Sequence, residues 1–356
     1  MDFSFTSDQE ELRGLANRVL TDRCTQDHLK EVAFGEGSTG DDRELWRELA
    51  GLGLVGIGLP ESAGGGGMGF FEVAIVLEEV GRAVAPIPAL PVMAMAGPFL
   101  AQHAPDQLEG IASGERIVTV ALHDLVGPVS SPSLVASGGT LTGVKTNVPF
   151  GTVADAFLVS AVDGVYLVEA DAAGVTVERQ DAVDDIPDAL VTFDGAAATC
   201  IAGPDALDSL IDHGRTGQAM LMAGVTARAV EITADYVKER EQFDRKIATF
   251  QAVAQRAADA RIDSEAIKLT GWQAAMRIND GLPAGEHAAS AKYWAAEGGQ
   301  RVVHAATHLH GGVGVDRDYP LHRYYLWTKK QELFLGGATE SLLALGKRLA
   351  DEPVGS

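Results

Sequence analysis

A chain of 356 residues, 46% hydrophobic and only 6% aromatic, is long enough for two or three domains and a large core. Its net charge of -22 argues against duplex nucleic acid and anionic membranes as partners, because phosphate binding needs clustered cations. The start, MDFSFTSDQEELRG, has no basic region followed by an apolar one, and no run of about 18 apolar residues is free of polar breaks; a cytoplasmic chain with no signal peptide and no membrane span is expected.

Ser7-Asp8-Gln9-Glu10 has the spacing of a capping box, and Leu12, Leu15, Val19 and Leu20 follow at helical intervals. Residues 42–54 are amphipathic, with Leu45, Trp46, Leu49 and Leu52 on one side. Gly64 to Gly67 form a loop, residues 71–80 return to helix, and Pro86, Pro88 and Pro91 break the region after Gly81. This gives an N-terminal helical domain over 1–115. Cys24 and Cys200 lie far apart with no CxxC, and are expected to be free buried thiols.

The texture changes near residue 115. Runs at 117–122, 140–144, 156–159, 165–168, 174–177 and 189–193 read as strands between Gly and Asp turns. Their spacing predicts a small β-barrel or sandwich over 116–204. Leu207, Leu210 and Ile211 restore the helical period, with helices expected over 205–239, 250–279, 285–307 and 320–349. The fold class is therefore α+β, mainly α, with a C-terminal helical bundle over 205–356.

Two segments carry candidate chemistry. Arg240-Glu241-Gln242-Phe243 would sit at the turn between two long helices, where an Arg can bind phosphate through paired donors or make a surface ion pair. His308-Leu309-His310-Gly311-Gly312-Val313-Gly314 is a glycine turn after a helix. Its two histidines have no Cys, Asp or Glu at ligand spacing, so no metal is expected.

Residues 240–259 (REQFDRKIATFQAVAQRAAD) and 308–325 (HLHGGVGVDRDYPLHRYY), in this order, resemble the C-terminal domain of acyl-CoA dehydrogenases. The α, β, α order is similar to that fold, with its C-terminal four-helix bundle. The resemblance implies FAD as cofactor and an acyl-CoA as substrate. It also implies that Arg240, Gln242, Phe243 and Gln251 reach the FAD of a neighbouring subunit. His308, Leu309, Gly311 and Gly312 would contact that same FAD, although the family usually has Gln where His308 stands.

Dehydrogenation of an acyl thioester needs a carboxylate to take the α proton. Counting from His308 places Leu335, or Gly336 with a one-residue shift, where most of the family has its Glu. The other location the family uses reads Gly214-Arg215. The nearest acids, Glu332 and Glu340, fit solvent-facing helix positions better. Arg215 is left open between a structural and a substrate-binding role. The family's flavin-cradling Thr-Glu-Pro is also missing at Leu122-His123-Asp124, as is a Trp after Lys145.

Lost chemistry beside retained contacts resembles the base-less subunit of heterotetrameric dehydrogenases of bacterial steroid side-chain catabolism, which have two copies of each subunit. That resemblance implies a catalytic partner subunit, a steroid side-chain CoA thioester and an electron-transfer flavoprotein as acceptor. An active homo-oligomer with a relocated base and a non-catalytic scaffold binding CoA thioesters remain alternatives.

Overall fold

The computed structural model describes residues 4–351. Helix α1 (Ser7–Arg23) is capped by Thr6, whose Oγ1 accepts from the Gln9 N–H at 3.2 Å while Gln9 Oε1 accepts from the Thr6 N–H at 3.0 Å. The box lies one residue before the expected one, because Thr6 is already extended and offers its hydroxyl to the first turn. Helix α2 (Gln26–Phe34), not anticipated from the sequence, is capped by Thr25. Helix α3 (Arg43–Gly51) starts at Asp42, which accepts from the Leu45 N–H at 3.0 Å. Leu45, Trp46 and Leu49 are buried, but Leu52 lies past the helix end and is 44% exposed.

Helix α4 (Phe70–Ala83) crosses α6 (Ala206–Glu239) in near-backbone contact. A Cβ on Gly224 would lie 1.8 Å from Glu78 O, and one on Gly81 would lie 1.9 Å from Leu221 O. Only glycine at both places permits this approach. Helix α4 ends at Ala83 and Pro86 and Pro88 lie in the break that follows, as expected, but helical structure resumes through Pro91. A π-helical turn (Leu90–Ala96) runs directly into α5 (Gly97–His103), with Pro91 in the first turn, where a missing N–H costs nothing, and Pro98 just after the π turn.

The β region holds two four-stranded sheets. In the first, β1 (Val118–Ala121) pairs in parallel with β4 (Ala156–Ala161), which continues through β5 (Gly164–Glu169) to β8 (Thr199–Ala202). In the second, β2 (Val135–Ser137), β3 (Thr140–Val148), β7 (Pro187–Ala197) and β6 (Val175–Asp181) are antiparallel neighbours in that order. The sheets are separate, so the barrel alternative is wrong. They share one core: Phe157, Val159 and Tyr166 of one sheet lie in a single cluster with Leu141, Val191 and Phe193 of the other. The Phe157 and Phe193 rings meet edge to face at 6.4 Å.

The C-terminal helices are α6, α7 (Gln251–Asn279), α8 (Gly285–Tyr293), α9 (Gly299–His310), α10 (Leu321–Leu333) and α11 (Ala338–Asp351). A π-helical turn, Trp294–Gly298, makes α8 and α9 nearly continuous. The helix expected over 320–349 is instead two. It breaks at residues 334–337, where Leu335 (φ 59°) and Gly336 (φ 97°) adopt positive φ. Cys24 and Cys200 are free as expected, but Cys200 is exposed on β8. No helix among the described residues is long and apolar enough to cross a membrane.

Candidate functional site

The end of α6, the short hairpin after it and the end of α9 enclose a groove of about 640 Å³. Arg240, Gln242, His308, Leu309, Gly311 and Gly312 all line it. Helix α9 stops because Gly311 takes φ 62°. A Cβ on Gly311 or Gly312 would meet nothing within 4 Å, so packing does not demand either glycine; they leave bare backbone facing open space. Arg240 is exposed, and no described carboxylate forms an ion pair with it.

The floor of the groove is rigid. The His310 ring stacks on Tyr236 at 4.3 Å. Its Nδ1 bonds Ala306 O at 2.8 Å and its Nε2 bonds the Tyr319 hydroxyl at 3.2 Å. Burial lowers the His310 pKa, so the ring is neutral: Nδ1–H donates to the carbonyl, and Nε2 accepts from Tyr319. His310 is therefore fully engaged, and the described residues contain no group of three metal-ligating side chains. A guanidinium, a side-chain amide and open glycine backbone on one wall suit a diphosphate, and these residues fit that part of FAD.

The structure does not bring Phe243 and Gln251 into this groove. Phe243 (φ 56°) is 86% exposed at the hairpin tip, its ring 6.2 Å from that of Phe250. Arg245 lies 4.0 Å over the Phe250 ring. Gln251 opens α7 and is exposed.

The two candidate base positions meet in space. Leu335 is fully buried, and its Cδ1 lies 2.6 Å from where a Cβ on Gly214 would stand, with Met95 Cε equally close. One apolar side chain thus fills the volume that both positions address. Arg215, also buried, donates from Nε to Leu335 O at 3.2 Å, which holds the break between α10 and α11. Glu332 is ion-paired to Lys329 at 2.6 Å. Glu340 lies against Gly336, where a Cβ would be 2.8 Å from its carboxyl carbon. Neither acid occupies the Gly214–Leu335 position.

Two further residues at this break gave no sequence signal. Lys292 is completely buried, and its Nζ donates to Gln331 O at 2.8 Å and Glu332 O at 3.1 Å, capping α10. Burial, with Arg215 nearby, pushes its pKa down to about 7. From the β region, His123 accepts from the Leu335 N–H at 3.4 Å through Nε2, and its ring lies 5.4 Å from that of Phe334. Burial, with Lys145 and Lys292 adding to it, pushes the His123 pKa down to about 4, so it accepts as the neutral ring.

Next to His123, the buried Lys145 pairs with Asp124 at 2.6 Å and donates to Ser160 Oγ at 3.0 Å. Burial works against the Asp124 charge, but hydrogen bonds from Lys145 and Ser133 hold its carboxyl below the ordinary value. A cavity of about 480 Å³ remains beyond, between His123, Asn147, Asp188, Lys330 and Phe334.

Comparison with known proteins agrees with this architecture. Residues 6–110 match the family described as acyl-CoA dehydrogenase, N-terminal domain, and residues 202–349 match its C-terminal domain. The chain is 40% identical to the acyl-CoA dehydrogenase FadE27 of Mycobacterium tuberculosis, over 99% of this chain and 100% of that protein. Among solved structures, a variant of the Tcur3481-Tcur3483 steroid ACAD is 43% identical, with a TM-score of 0.92 over 97% of this chain and 98% of the other. The ChsE4-ChsE5 complex of Mycobacterium tuberculosis is 38% identical, with a TM-score of 0.91 over 99% of this chain and 100% of that one. The chain belongs to the acyl-CoA dehydrogenase family of oxidoreductases.

Proposed function

We propose that this chain is the base-less subunit of a two-component acyl-CoA dehydrogenase, completing a partner's FAD site without itself removing a proton. The observation that carries the proposal is the Leu335 side chain lying over Gly214. Both places from which a carboxylate could reach the α carbon hold residues that cannot take a proton, and the space is filled by hydrocarbon.

The groove supports the other half of the reading. Arg240 and the amide of Gln242 would hold the diphosphate of the partner's FAD, together with the open backbone at Gly311 and Gly312. His308 offers a ring N–H where the family has an amide. Phe243, exposed at the hairpin tip, would reach past the groove to the partner, as would Gln251 at the start of α7. In the chain's own β region, His123 and the Asp124–Lys145 pair stand where hydroxyls and amides would cradle a flavin.

Bound FAD supplies a hydride acceptor, and the partner's carboxylate supplies the base; the reaction is α,β-desaturation of an acyl-CoA, with electrons passing on to an electron-transfer flavoprotein. A steroid side-chain thioester is the favoured substrate class, because one relative of 43% identity is described as a steroid ACAD. A partner chain is favoured because two of the similar structures are named as pairs of proteins. An assembly with two copies of each subunit, in the cytoplasm, fits this reading.

Replacing Glu332 and Glu340 by Gln in the co-purified complex tests the absence of a base. Dehydrogenation of a steroid side-chain CoA should stay within about twofold of the unmodified complex, since Glu→Gln keeps the size of these half-buried side chains and removes only a charge with no part in the chemistry. Loss of turnover to the level of a base-deleted enzyme, with the fold intact, would restore the active homo-oligomer reading.

A further inference from the structure

A separate cavity of about 420 Å³ lies between α1, α2, the end of α4, the middle of α6 and the first turn of α10, away from both the groove and the filled base position. Three guanidiniums stand in its wall: Arg82, Arg228 and Arg323. Two are neutralised. Arg82 grips both oxygens of Glu231 at 3.0 and 2.8 Å, and Arg228 reaches the same carboxylate at 3.1 Å. Glu79 lies 3.8 Å from Arg82 and is shared with Arg13, also at 3.8 Å.

Arg323 is different. Its Nε donates to the Gln26 side-chain oxygen at 3.2 Å, and among the described residues no carboxylate lies within ion-pair distance of it. Asp185 acts on it only from farther away, and Arg317 opposes that effect. Arg82 and Arg228 are thus paired with carboxylates, and Arg323 leaves one unpaired positive charge in the wall. Helix α10 adds to the excess. It has no acidic residue in its first turn and no side-chain cap, and Pro320, Arg323 and Tyr324 of that turn line the cavity. The start of the helix thus brings the positive end of its dipole to the same wall. Leu20, Leu29, Val84 and Ile232 give the cavity an apolar part, beside the polar side chains of Asn17, Thr21 and Gln26.

We propose that this cavity binds a small organic monoanion, a carboxylate with a short apolar tail, whose head pairs with the terminal nitrogens of Arg323. The carboxylate matches a guanidinium fork and gives Arg323 the counter-ion it lacks, while the tail covers the leucines. A partly buried cation without a counter-ion is costly, and the ligand removes that cost.

Calorimetric titration of the full-length protein with sodium butyrate, against sodium chloride at equal ionic strength, reads the site directly. One saturable site per chain is expected, with inorganic phosphate weaker because it has no tail. Arg323→Gln should raise the butyrate Kd at least about tenfold, the scale of one charge-assisted pair. Thr21→Met fills the cavity from the exposed side of α1 while leaving all three arginines in the sequence, and should abolish binding with the circular dichroism spectrum unchanged. No saturation by butyrate, undiminished affinity in either folded variant, or phosphate binding as tightly as butyrate would overturn the proposal.

Discussion

Leu335 and Gly214 come from distant parts of the chain, yet the Leu335 Cδ1 stands 2.6 Å from the point a Cβ on Gly214 would occupy. The two candidate base positions therefore address one volume. In this chain that volume is packed rather than empty. A carboxylate restored at 214 alone would be forced against Leu335 and Met95.

This contact has a measurable energy. Gly214→Ala should destabilise the protein by about 1–3 kcal/mol through overpacking. Leu335→Ala should cost about 2–5 kcal/mol through a cavity. The double variant should be less destabilised than the sum by at least about 0.5 kcal/mol, because the smaller side chain at 335 makes room at 214. Denaturant melts of the four proteins check this; strict additivity would mean the two positions do not share the space.

The proposed role of Arg240 in FAD binding can be tested apart from folding. It is exposed and has no carboxylate partner among the described residues, so Arg240→Ala should leave the melting temperature nearly unchanged. The same change should weaken retention of FAD by the complex about tenfold or more, as expected when a charge-assisted phosphate contact is lost. Flavin absorbance per protein after gel filtration measures it. Unchanged flavin content would favour a scaffold.

The latch between His123 and the Leu335 N–H should be sensitive to acid. The His123 pKa is about 4 in the folded chain against an ordinary value of 6.5. Between these values the unfolded chain binds the extra proton, so the histidine's contribution to stability is complete above about pH 6.5 and falls as pH drops toward 4. Relative to His123→Gln, the native protein should lose about 3 kcal/mol across that window, from about 1.4 kcal/mol per pH unit. Urea melts of both proteins at about pH 7 and about pH 4.5 bracket most of that window and read the difference; parallel pH profiles would contradict it.

The buried Lys145–Asp124 pair ties the loop after β1 to β3. Lys145→Met leaves Asp124 charged without its partner, and should cost about 3–5 kcal/mol. Adding Asp124→Leu should recover much of that loss, because no buried charge then remains. Thermal unfolding of the single and double variants distinguishes the cases; a double variant no better than the single would mean that packing, rather than charge, sets the cost.

Much of this was legible from the sequence. The segments around Arg240 and His308 indicated the family because they hold a long, ordered pattern rather than one motif, and counting from His308 reached Leu335 without a structure. Strand spacing could not tell a closed barrel from two sheets, since alternation is the same in both. The break at Leu335 and Gly336 was written in Gly336-Gly337, but the helical period on either side masked it. Pro91 read as a breaker because its place in a first turn depends on the chain before it. His123 and Lys292 were invisible: each acts on a backbone group far away in sequence, and no local pattern records that.

The most direct test is the visible spectrum of this protein purified alone and then co-purified with its partner chain. Alone it should show no flavin absorbance and no dehydrogenation; with the partner present, the complex should be yellow and active. A protein that is yellow and turns over acyl-CoA by itself would contradict the claim that Leu335 and Gly214 leave it without a base.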